Sequence, residues 1–294
     1  MSDATARRAS GLAVTVLHAC SRGGRGGSPT AVVDETALSG AERRRVPVLA
    51  GTSHAVFVST NGGAPGRTDV SLRFFTPAGE LPACGHGTVA ALAFLAARGG
   101  HAELRATVRT PGRVFRGHVA REDGKLKALF EPGAIDLRRP SPEERDSVLR
   151  SLGSGPGTTT GDICVASLGR PRMLVPVPTR AAVAALAPDL DALRDVCDRL
   201  GLLGCYAYGP PGSDGHLAAR MFAPSIGVPE DIANANSTAC LAAHLAREGS
   251  TGITVDMGDS LGSPSTVTAT ARQGPDGPLV HVGGTVTAHR EVLL

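Results

Sequence analysis

An acid and a thiol four positions apart, Glu80 and Cys84, are the side chains best suited to chemistry, and a Gly-His-Gly turn and an alanine-rich run follow them at once. A carboxylate beside such a turn could remove a proton from carbon and return it elsewhere. A second acid, Asp231, precedes another alanine-rich run in the other half of the chain. Glu80 and Asp231 are therefore the predicted catalytic residues, on opposite rims of one cleft.

The two alanine-rich runs are predicted helices whose first turns face that cleft. Unpaired backbone N–H groups and the positive end of a helix dipole would hold a carboxylate or an enolate there. The expected ligand is therefore a small-molecule carboxylate whose developing negative charge the protein stabilises. The residues predicted to bind it are Cys84, Gly85, His86, Gly87, Thr88, Asn234, Asn236, Ser237 and, from a glycine-rich turn near the amino terminus, Ser28.

The same side chains also have structural interpretations that the sequence leaves open. Glu80 could cap the next helix or pair with Arg73, and His86 could be an ordinary turn residue. The turn around Ser28 lacks the lysine of a phosphate-binding loop and leads into a strand, so it is predicted to be a structural loop. Cys84 and His86 are two candidate metal ligands, but their neighbours in sequence supply neither a third nor a fourth. The sequence therefore predicts no metal.

A repeated phrase places these residues in two related parts of the chain. Arg73-Phe-Phe-Thr-Pro77 returns as Arg220-Met-Phe-Ala-Pro224, 147 positions later in a chain of 294 residues. The predicted helical run at 238–246 likewise corresponds to the run at 88–96 in the first half. This length is enough for two cores, so the sequence predicts a duplicated protein.

The predicted boundary between the halves lies in a connection rich in proline and charge that begins at Pro132. The expected domains are residues 1–131 and 132–294, and a last strand at about 280–294 could return to the first domain.

Hydrophobic periodicity predicts the elements that position the site. In the first half the predicted strands are 12–17, 30–33, 54–58, 69–75, 107–120 and 125–131, with helices at 39–49 and 88–97. In the second half the predicted strands are 164–167, 173–177, 205–208, 217–222, 254–257, 266–270 and 279–286, with helical segments at 179–202, broken at Pro188, and at 238–246.

Composition limits the class of protein. The net charge is only +3 and the basic residues form no cluster, which argues against a nucleic-acid partner. No apolar run approaches the roughly 20 residues that span a bilayer, so no membrane partner is expected. Six cysteines without CxxC pairs, and an amino terminus without a leader-like apolar core, predict a cytoplasmic protein.

The chain resembles the PhzF-like isomerase family of phenazine biosynthesis, which shares its fold with diaminopimelate epimerase. Residues 27–33 resemble the family's Gly-Asn-Pro-Ala-Ala-Val-Val, and residues 51–58 resemble its Leu-Ser-Glu-Thr-Val-Phe-Val. Residues 73–88 are similar to its most specific signature, Arg-x-Phe-Thr-Pro-x-x-Glu-x-x-x-Cys-Gly-His-Ala-Thr. Arg220-x-Phe-x-Pro224, followed by Glu230-Asp231, resembles the second-half signature. The resemblance covers nearly the whole length.

The resemblance implies an α+β fold of two pseudo-symmetric domains, each a barrel-like, mostly antiparallel sheet around a central helix. It also implies an active site between the domains, no cofactor, and a homodimer. Glu80 would be the acid/base, and Asp231 would help to hold the substrate. The second half departs from the family, because Glu-Asp-Pro-x-Thr-Gly-Ser reads Glu230-Asp-Ile-Ala-Asn-Ala-Asn236 here, and His54 replaces an acid. An altered substrate is therefore expected.

The leading hypothesis is a cofactor-independent isomerase that moves a proton along an allylic or enamine system. Its substrate would be a small, cyclic, carboxylated metabolite of a specialised pathway such as antibiotic biosynthesis, with alkylproline and phenazine-type precursors as candidates. One base serving both carbons needs a pKa nearer neutrality than the roughly 4.3 of a free Glu, so partial burial of Glu80 is expected.

Two alternatives remain open. A cofactor-independent amino-acid racemase or epimerase would pair Cys84 with a second thiol, but Asn234 stands near the expected place. An inactive homologue that only binds a small molecule would have no need of an acid/base residue.

Overall fold

The first half of the chain folds into strands wrapped around one apolar helix, in a computed structural model that describes residues 11–63, 67–153, 159–274 and 277–294. The helix is buried because its residues from Val89 to Ala96 are apolar on nearly every side. The elements of this half are β1 (Ala13–Ala19), β2 (Ser28–Asp34), α1 (Gly40–Ala50), β3 (His54–Thr60), β4 (Thr68–Phe75), β5 (Glu80–Leu81), α2 (Gly85–Arg98), β6 (Glu103–Thr110), β7 (Arg113–Glu122) and β8 (Lys125–Phe130).

The second half repeats this order of elements around a second apolar helix, α6. Its elements are β9 (Asp136–Arg138), α3 (Pro142–Ser151), β10 (Cys164–Leu168), β11 (Arg170–Pro176), α4 (Arg180–Ala185), α5 (Leu190–Leu200), β12 (Cys205–Tyr208), β13 (His216–Ala223), β14 (Val228–Asp231), α6 (Ala235–Leu245), β15 (Gly252–Met257), β16 (Ser265–Gly274) and β17 (Gly277–Leu293). Three single turns of 3₁₀ helix lie at Pro224–Ile226, Ala246–Glu248 and Asp259–Leu261.

The strands of the first half close into an eight-stranded barrel around α2. Its order is β1, β2, β3, β4, β6, β7, β8 and β17, and β17 pairs with β1 to complete the circle. Only the β2–β3 and β4–β6 pairs are parallel. In the second half the β11–β12 and β13–β15 pairs are parallel in the same way. The predicted α+β fold with two pseudo-symmetric halves is therefore confirmed.

The last strand connects the two halves. β17 pairs with β16 of the second half, with β8 of the first half and, further along, with β1. In the opposite direction, β9 follows β8 in sequence and pairs with β10 of the second half. The expected division at residue 132 thus lies just before β9, and residues 1–10 of the first expected domain lie outside the described part of the chain.

Most predicted elements are present, and the differences have local causes. The strand predicted at 107–120 is a hairpin of β6 and β7, because Pro111 and Gly112, the latter with φ of 91°, form the turn between them. The short strands β5, β9 and β14 were not predicted, since runs of two to four residues give no periodic signal. The helix α3 was not predicted either, because Val148 and Leu149 are the only large aliphatic residues among its ten and make no periodic pattern. Within the described residues, no helix has the length and apolar character needed to cross a bilayer.

Candidate active site

The amino-terminal ends of α2 and α6 meet between the two halves. Cys84 caps α2, where its sulfur accepts a hydrogen bond from the backbone N–H of Gly87 at 3.3 Å. Asn234 caps α6 in the equivalent place, where its side-chain oxygen accepts from the N–H of Ser237 at 2.8 Å. The helices touch because residue 85 is glycine: a Cβ there would lie 2.8 Å from the Cβ of Ala235. Two positive helix ends therefore converge on one place.

A cavity of about 320 Å³ lies at these helix ends and has walls from both halves. This volume suits a small metabolite. The polar side chains that line it belong to His54, Cys84, His86, Arg113, Arg170, Arg172, Asp231, Asn234 and Asn236.

His86 connects the two halves across the cavity. Its Nδ1 lies 3.2 Å from the carbonyl oxygen of Ala233, so Nδ1 carries the proton, because a carbonyl can only accept. Its Nε2 lies 3.3 Å from the sulfur of Cys84. Burial acts against the imidazolium, but Cys84 and the Asp231 carboxylate raise the pKa of His86 to about 9. At neutral pH the imidazolium can therefore donate to the sulfur from Nε2 and support negative charge in the cavity.

Asp231 ends β14 and lines the same cavity. One of its carboxylate oxygens accepts a hydrogen bond from the side-chain amide of Asn234 at 2.9 Å. Burial raises the pKa of Asp231 above its ordinary value, although His86 and Asn234 partly oppose this effect. A carboxyl group whose proton is held more tightly than usual is suited to both removing and returning a proton.

His54 lines the cavity beside His86, and the sequence prediction had not placed it in the site. It begins β3, its Nδ1 lies 2.8 Å from the hydroxyl oxygen of Ser53, and its ring centroid is 4.5 Å from that of His86. Burial and the neighbouring His86 lower the pKa of His54 to about 3, so this ring is neutral at physiological pH. The signal that could have found it was its position in the family resemblance, where it replaces an acid.

Three of these side chains have donor atoms that a metal ion could span. Those of His54, Cys84 and His86 all lie within 4.8 Å of one another. Two imidazoles and a thiol match the ligands that Zn²⁺ prefers. His54, which comes from a different strand, thus supplies the third donor that was not expected near Cys84 and His86. The absence of a metal stays a prediction.

Glu80 does not lie where it was expected. Both of its carboxylate oxygens accept hydrogen bonds from Arg73, at 2.8 Å each. Glu80 is not among the described residues that line the cavity. Successive strand residues point to opposite faces, and in β5 it is Leu81 that lines the cavity. Arg73 also lowers the pKa of Glu80, whereas partial burial was expected to raise it.

The second half contains an equivalent ion pair. Arg220 donates to both carboxylate oxygens of Glu230, at 3.0 and 2.7 Å. Because β4 pairs with β5 as β13 pairs with β14, each arginine connects a long strand to the short strand beside it. The arginine of the repeated phrase therefore forms a structural ion pair in each half. In the second half the acid that lines the cavity is Asp231, the residue after Glu230.

The remaining predicted binding residues divide into two groups. Cys84, Gly85, His86, Asn234 and Asn236 line the cavity. Gly87, Thr88, Ser237 and Ser28 are buried, and the described lining does not include them. Thr88 and Ser237 face inward because they belong to the second half of each first helical turn, and Ser28 begins β2.

Glu80→Gln is expected to leave the catalytic rate close to that of the unchanged protein. Loss of a general base costs about 10²–10⁴-fold, but the carboxylate of Glu80 is fully engaged by Arg73 outside the cavity. Deuterium exchange into a substrate analogue would measure this rate. A loss of about 10²-fold or more would restore Glu80 as the base.

The family model of phenazine biosynthesis-like proteins (PhzC-PhzF) matches residues 20–291 of this chain. The chain belongs to this family. The trans-2,3-dihydro-3-hydroxyanthranilate isomerase of Pseudomonas fluorescens is 31% identical over 256 residues, which cover 83% of this chain and 85% of that protein. A protein of Deinococcus radiodurans named uncharacterized isomerase is 28% identical over 284 residues, 91% of this chain and 89% of that protein.

The fold is shared with a solved structure of the same family. The PhzF-family phenazine biosynthesis protein of Bacillus anthracis superposes with a TM-score of 0.81 at 20% identity, and the match covers 96% of this chain and 98% of that one. Membership of the PhzC-PhzF family, together with relatives named as isomerases, makes this protein an isomerase.

Proposed function

We propose that this PhzC-PhzF family isomerase moves a proton along an allylic or enamine system in a small, cyclic, carboxylated metabolite, without a cofactor. The observation that carries the proposal is Asp231, a carboxyl group of raised pKa beside His86 and between two helix ends. The relative from Pseudomonas fluorescens, which is named for an isomerisation of a cyclic carboxylated compound, supports this reaction class.

The substrate carboxylate would bind at the two helix ends. The first N–H groups of a helix have no partner within it. The N–H groups of Gly85 and His86 in α2 lie close to those of Ala235 and Asn236 in α6, since a Cβ on Gly85 would lie 3.1 Å from the backbone nitrogen of Asn236. Four donors and two dipoles would then hold one anion.

The proton shift would use Asp231 as the single base. Its carboxylate removes a proton from a carbon of the substrate, and the electron pair of that C–H bond moves into the conjugated system toward the bound carboxylate. The imidazolium of His86 and the helix ends stabilise the resulting negative charge. The carboxylic acid of Asp231 exchanges this proton with solvent and then donates a proton to a different carbon, so the double bond has moved and nothing has been oxidised. Neutral His54 would orient a polar group of the substrate.

Proton exchange in deuterium oxide tests this proposal directly. The protein is incubated with cyclic enamine and diene carboxylic acids, and deuterium incorporation and the position of the double bond are followed by NMR. The expected result is a shifted double bond with deuterium at the new carbon. Tight binding of these acids without exchange would instead favour the inactive binding homologue.

The racemase alternative has a distinct signature. It needs a second acid/base on the opposite face of the carbon, and the residue equivalent to Cys84 is the amide Asn234. Cys240, the nearest later thiol, lies inside α6 against Arg172. A racemase would invert a chiral carbon without moving a double bond, and Cys84→Ser would abolish it while Asp231→Asn would not.

The rate of exchange is expected to depend on pH as a bell-shaped curve. The lower limb comes from Asp231, which must be ionised, and its raised pKa places that limb above the roughly 3.9 of an ordinary Asp. The upper limb lies near pH 9, where His86 loses its proton. His54 adds no limb between them because its pKa is lowered to about 3. A pH profile of kcat/KM with the first substrate identified would check this, and a single limb near pH 6.5 would contradict it.

The setting of the enzyme is also part of the proposal. The six cysteines are free thiols, which fits the reducing cytoplasm. The divergent residues from Ile232 to Asn236 fit a substrate of a specialised pathway such as antibiotic biosynthesis, with alkylproline and phenazine-type precursors as candidates. The expected homodimer would be tested by light scattering.

A further inference from the structure

Three arginines form one wall of the active-site cavity, and the proposed proton shift uses none of them. Arg113 begins β7 in the first half, and Arg170 and Arg172 lie on β11 in the second. The wall therefore brings positive charge from both halves to the site.

Arg172 is the most deeply buried of the three, with 2% of its surface exposed. Its two terminal nitrogens donate to the sulfur of Cys240 at 2.9 Å and to the carbonyl oxygen of Arg170 at 3.0 Å. Its Nε is buried and has no hydrogen-bond partner among the described residues. A cysteine sulfur and a carbonyl oxygen are its hydrogen-bond acceptors, and no carboxylate lies within 4.0 Å of it in the described ranges, so this guanidinium is buried without a carboxylate counter-ion.

Arg113 is half-buried next to Arg172. One of its terminal nitrogens donates to the carbonyl oxygen of Pro132 at 3.4 Å. Burial and the positive charge of Arg172 lower the pKa of Arg113, so the two guanidinium groups destabilise each other. Within the described ranges neither has a carboxylate within 4.0 Å, whereas the exposed Arg170 has Asp198 at 3.6 Å.

Other enclosed arginines of this protein are paired with acids. Arg43 donates to both carboxylate oxygens of Glu35, and Arg220 does the same to Glu230. The protein thus balances buried guanidinium charge where the purpose is structural. The unbalanced charge of Arg113 and Arg172 occurs where the arginines border a cavity of ligand size.

We propose that the substrate carries a second anionic group, a carboxylate or a phosphate, that binds to Arg113 and Arg172. This inference rests on the proposed function, in which the first carboxylate lies at the helix ends. Arg113 and Arg172 then determine specificity, because a guanidinium recognises either anion with charge-assisted hydrogen bonds. A substrate with one anionic group would leave both arginines unbalanced.

Calorimetric titration of three planar acids tests the inference without requiring turnover. The probes are benzoate, benzene-1,3-dicarboxylate and 3-phosphonobenzoate, and the last two separate a carboxylate from a phosphate-like second group. We expect at least one of the two dianions to bind about tenfold or more tightly than benzoate. Arg113→Gln should remove this advantage and leave the affinity for benzoate unchanged.

Arg116→Gln is the matched control, because Arg116 is exposed on the same strand and is not part of the described cavity lining. It should keep the preference for the dianion. Arg172→Lys, which keeps the charge but loses the planar donor set, should weaken dianion binding less than Arg172→Gln. Circular dichroism would verify that each variant is folded.

Two results would overturn the inference. One is equal or undetectable binding of both dianions relative to benzoate. The other is a loss of benzoate affinity in Arg113→Gln as large as the loss of dianion affinity, which would mean that the arginines hold the only carboxylate. Failure of deuterium exchange with every acid would contradict the proposed function but would leave a measured preference for dianions standing.

Discussion

Asp231→Asn is expected to lower the rate of proton exchange by about 10²–10⁴-fold, the usual cost of removing a general base. The amide has the shape of the carboxylate and can still accept the hydrogen bond that Asn234 donates at 2.9 Å. It has no lone pair basic enough to remove a proton from carbon. The loss should therefore appear in kcat, with binding of the carboxylated analogue nearly unchanged. Glu80→Gln, an acid-to-amide change outside the cavity, is the matched control.

The same substitution is expected to increase the free energy of unfolding at neutral pH. Burial raises the pKa of Asp231 in the folded state, so folding favours the protonated form. The contribution of Asp231 to stability is therefore fully present below its unfolded pKa of roughly 3.9 and is lost as the pH rises through the higher folded value. Asparagine is neutral at every pH and escapes this loss.

Urea denaturation at several pH values would check this second effect. The variant should be more stable than the unchanged protein near pH 7, and the difference should shrink toward pH 4. An inactive variant that is also less stable at neutral pH would indicate that Asp231 holds the site together. An active variant would remove Asp231 from the mechanism.

Arg220→Ala is expected to cost about 3–5 kcal/mol of the free energy of unfolding, the usual cost of breaking a buried ion pair. The side chains of Arg220 and Glu230 are only 13% and 9% exposed, so removal of the arginine leaves a buried carboxylate without its cation, although the hydroxyl of Ser260 still donates to it. Arg220 also donates to three backbone carbonyl oxygens, those of Val183, Ala184 and Leu186, which would lose their donor.

Arg73→Ala is the matched comparison from the other half. Arg73 and Glu80 make the same two-pronged contact, but their side chains are 44% and 33% exposed. An exposed pair is worth about 0–1 kcal/mol, so this variant should be nearly as stable as the unchanged protein. Equal losses in the two halves would contradict the argument from burial. The double variant Arg220→Ala/Glu230→Gln should recover part of the loss, because it removes the unpaired charge.

The duplicated fold and part of the cavity lining were predictable from sequence. The repeated phrase and the two alanine-rich runs led to α2 and α6, and their capping residues Cys84 and Asn234 were among the predicted binding residues. His86 and Asp231 were also predicted, and both line the cavity. These residues stand in or beside the first turn of a helix, so their position along the chain already determines where they lie.

Two kinds of feature could not be predicted: which residue of a very short strand faces the cavity, and which residues far apart in sequence meet in the fold. Strand alternation requires that Glu80 and Leu81 face opposite ways, but a strand of two residues gives no pattern that says which one faces the cavity. His54 reaches the site from a different strand, and the two uncompensated guanidinium groups are recognisable only once both halves are in place. For the same reason, the third donor beside Cys84 and His86 was missed.

The strand β17 pairs with strands of both halves, so neither half has all of its strands without the other. At its beginning β17 pairs with β16 of the second half, and at its end it pairs with β1 and closes the barrel of the first half. In the other direction, β9 extends from the first half and pairs with β10 of the second. A chain cut near residue 131 would leave β1 and β8 as open edges, free to pair with other molecules. The duplication has thus produced two interlocked halves, which we expect to unfold as one cooperative unit.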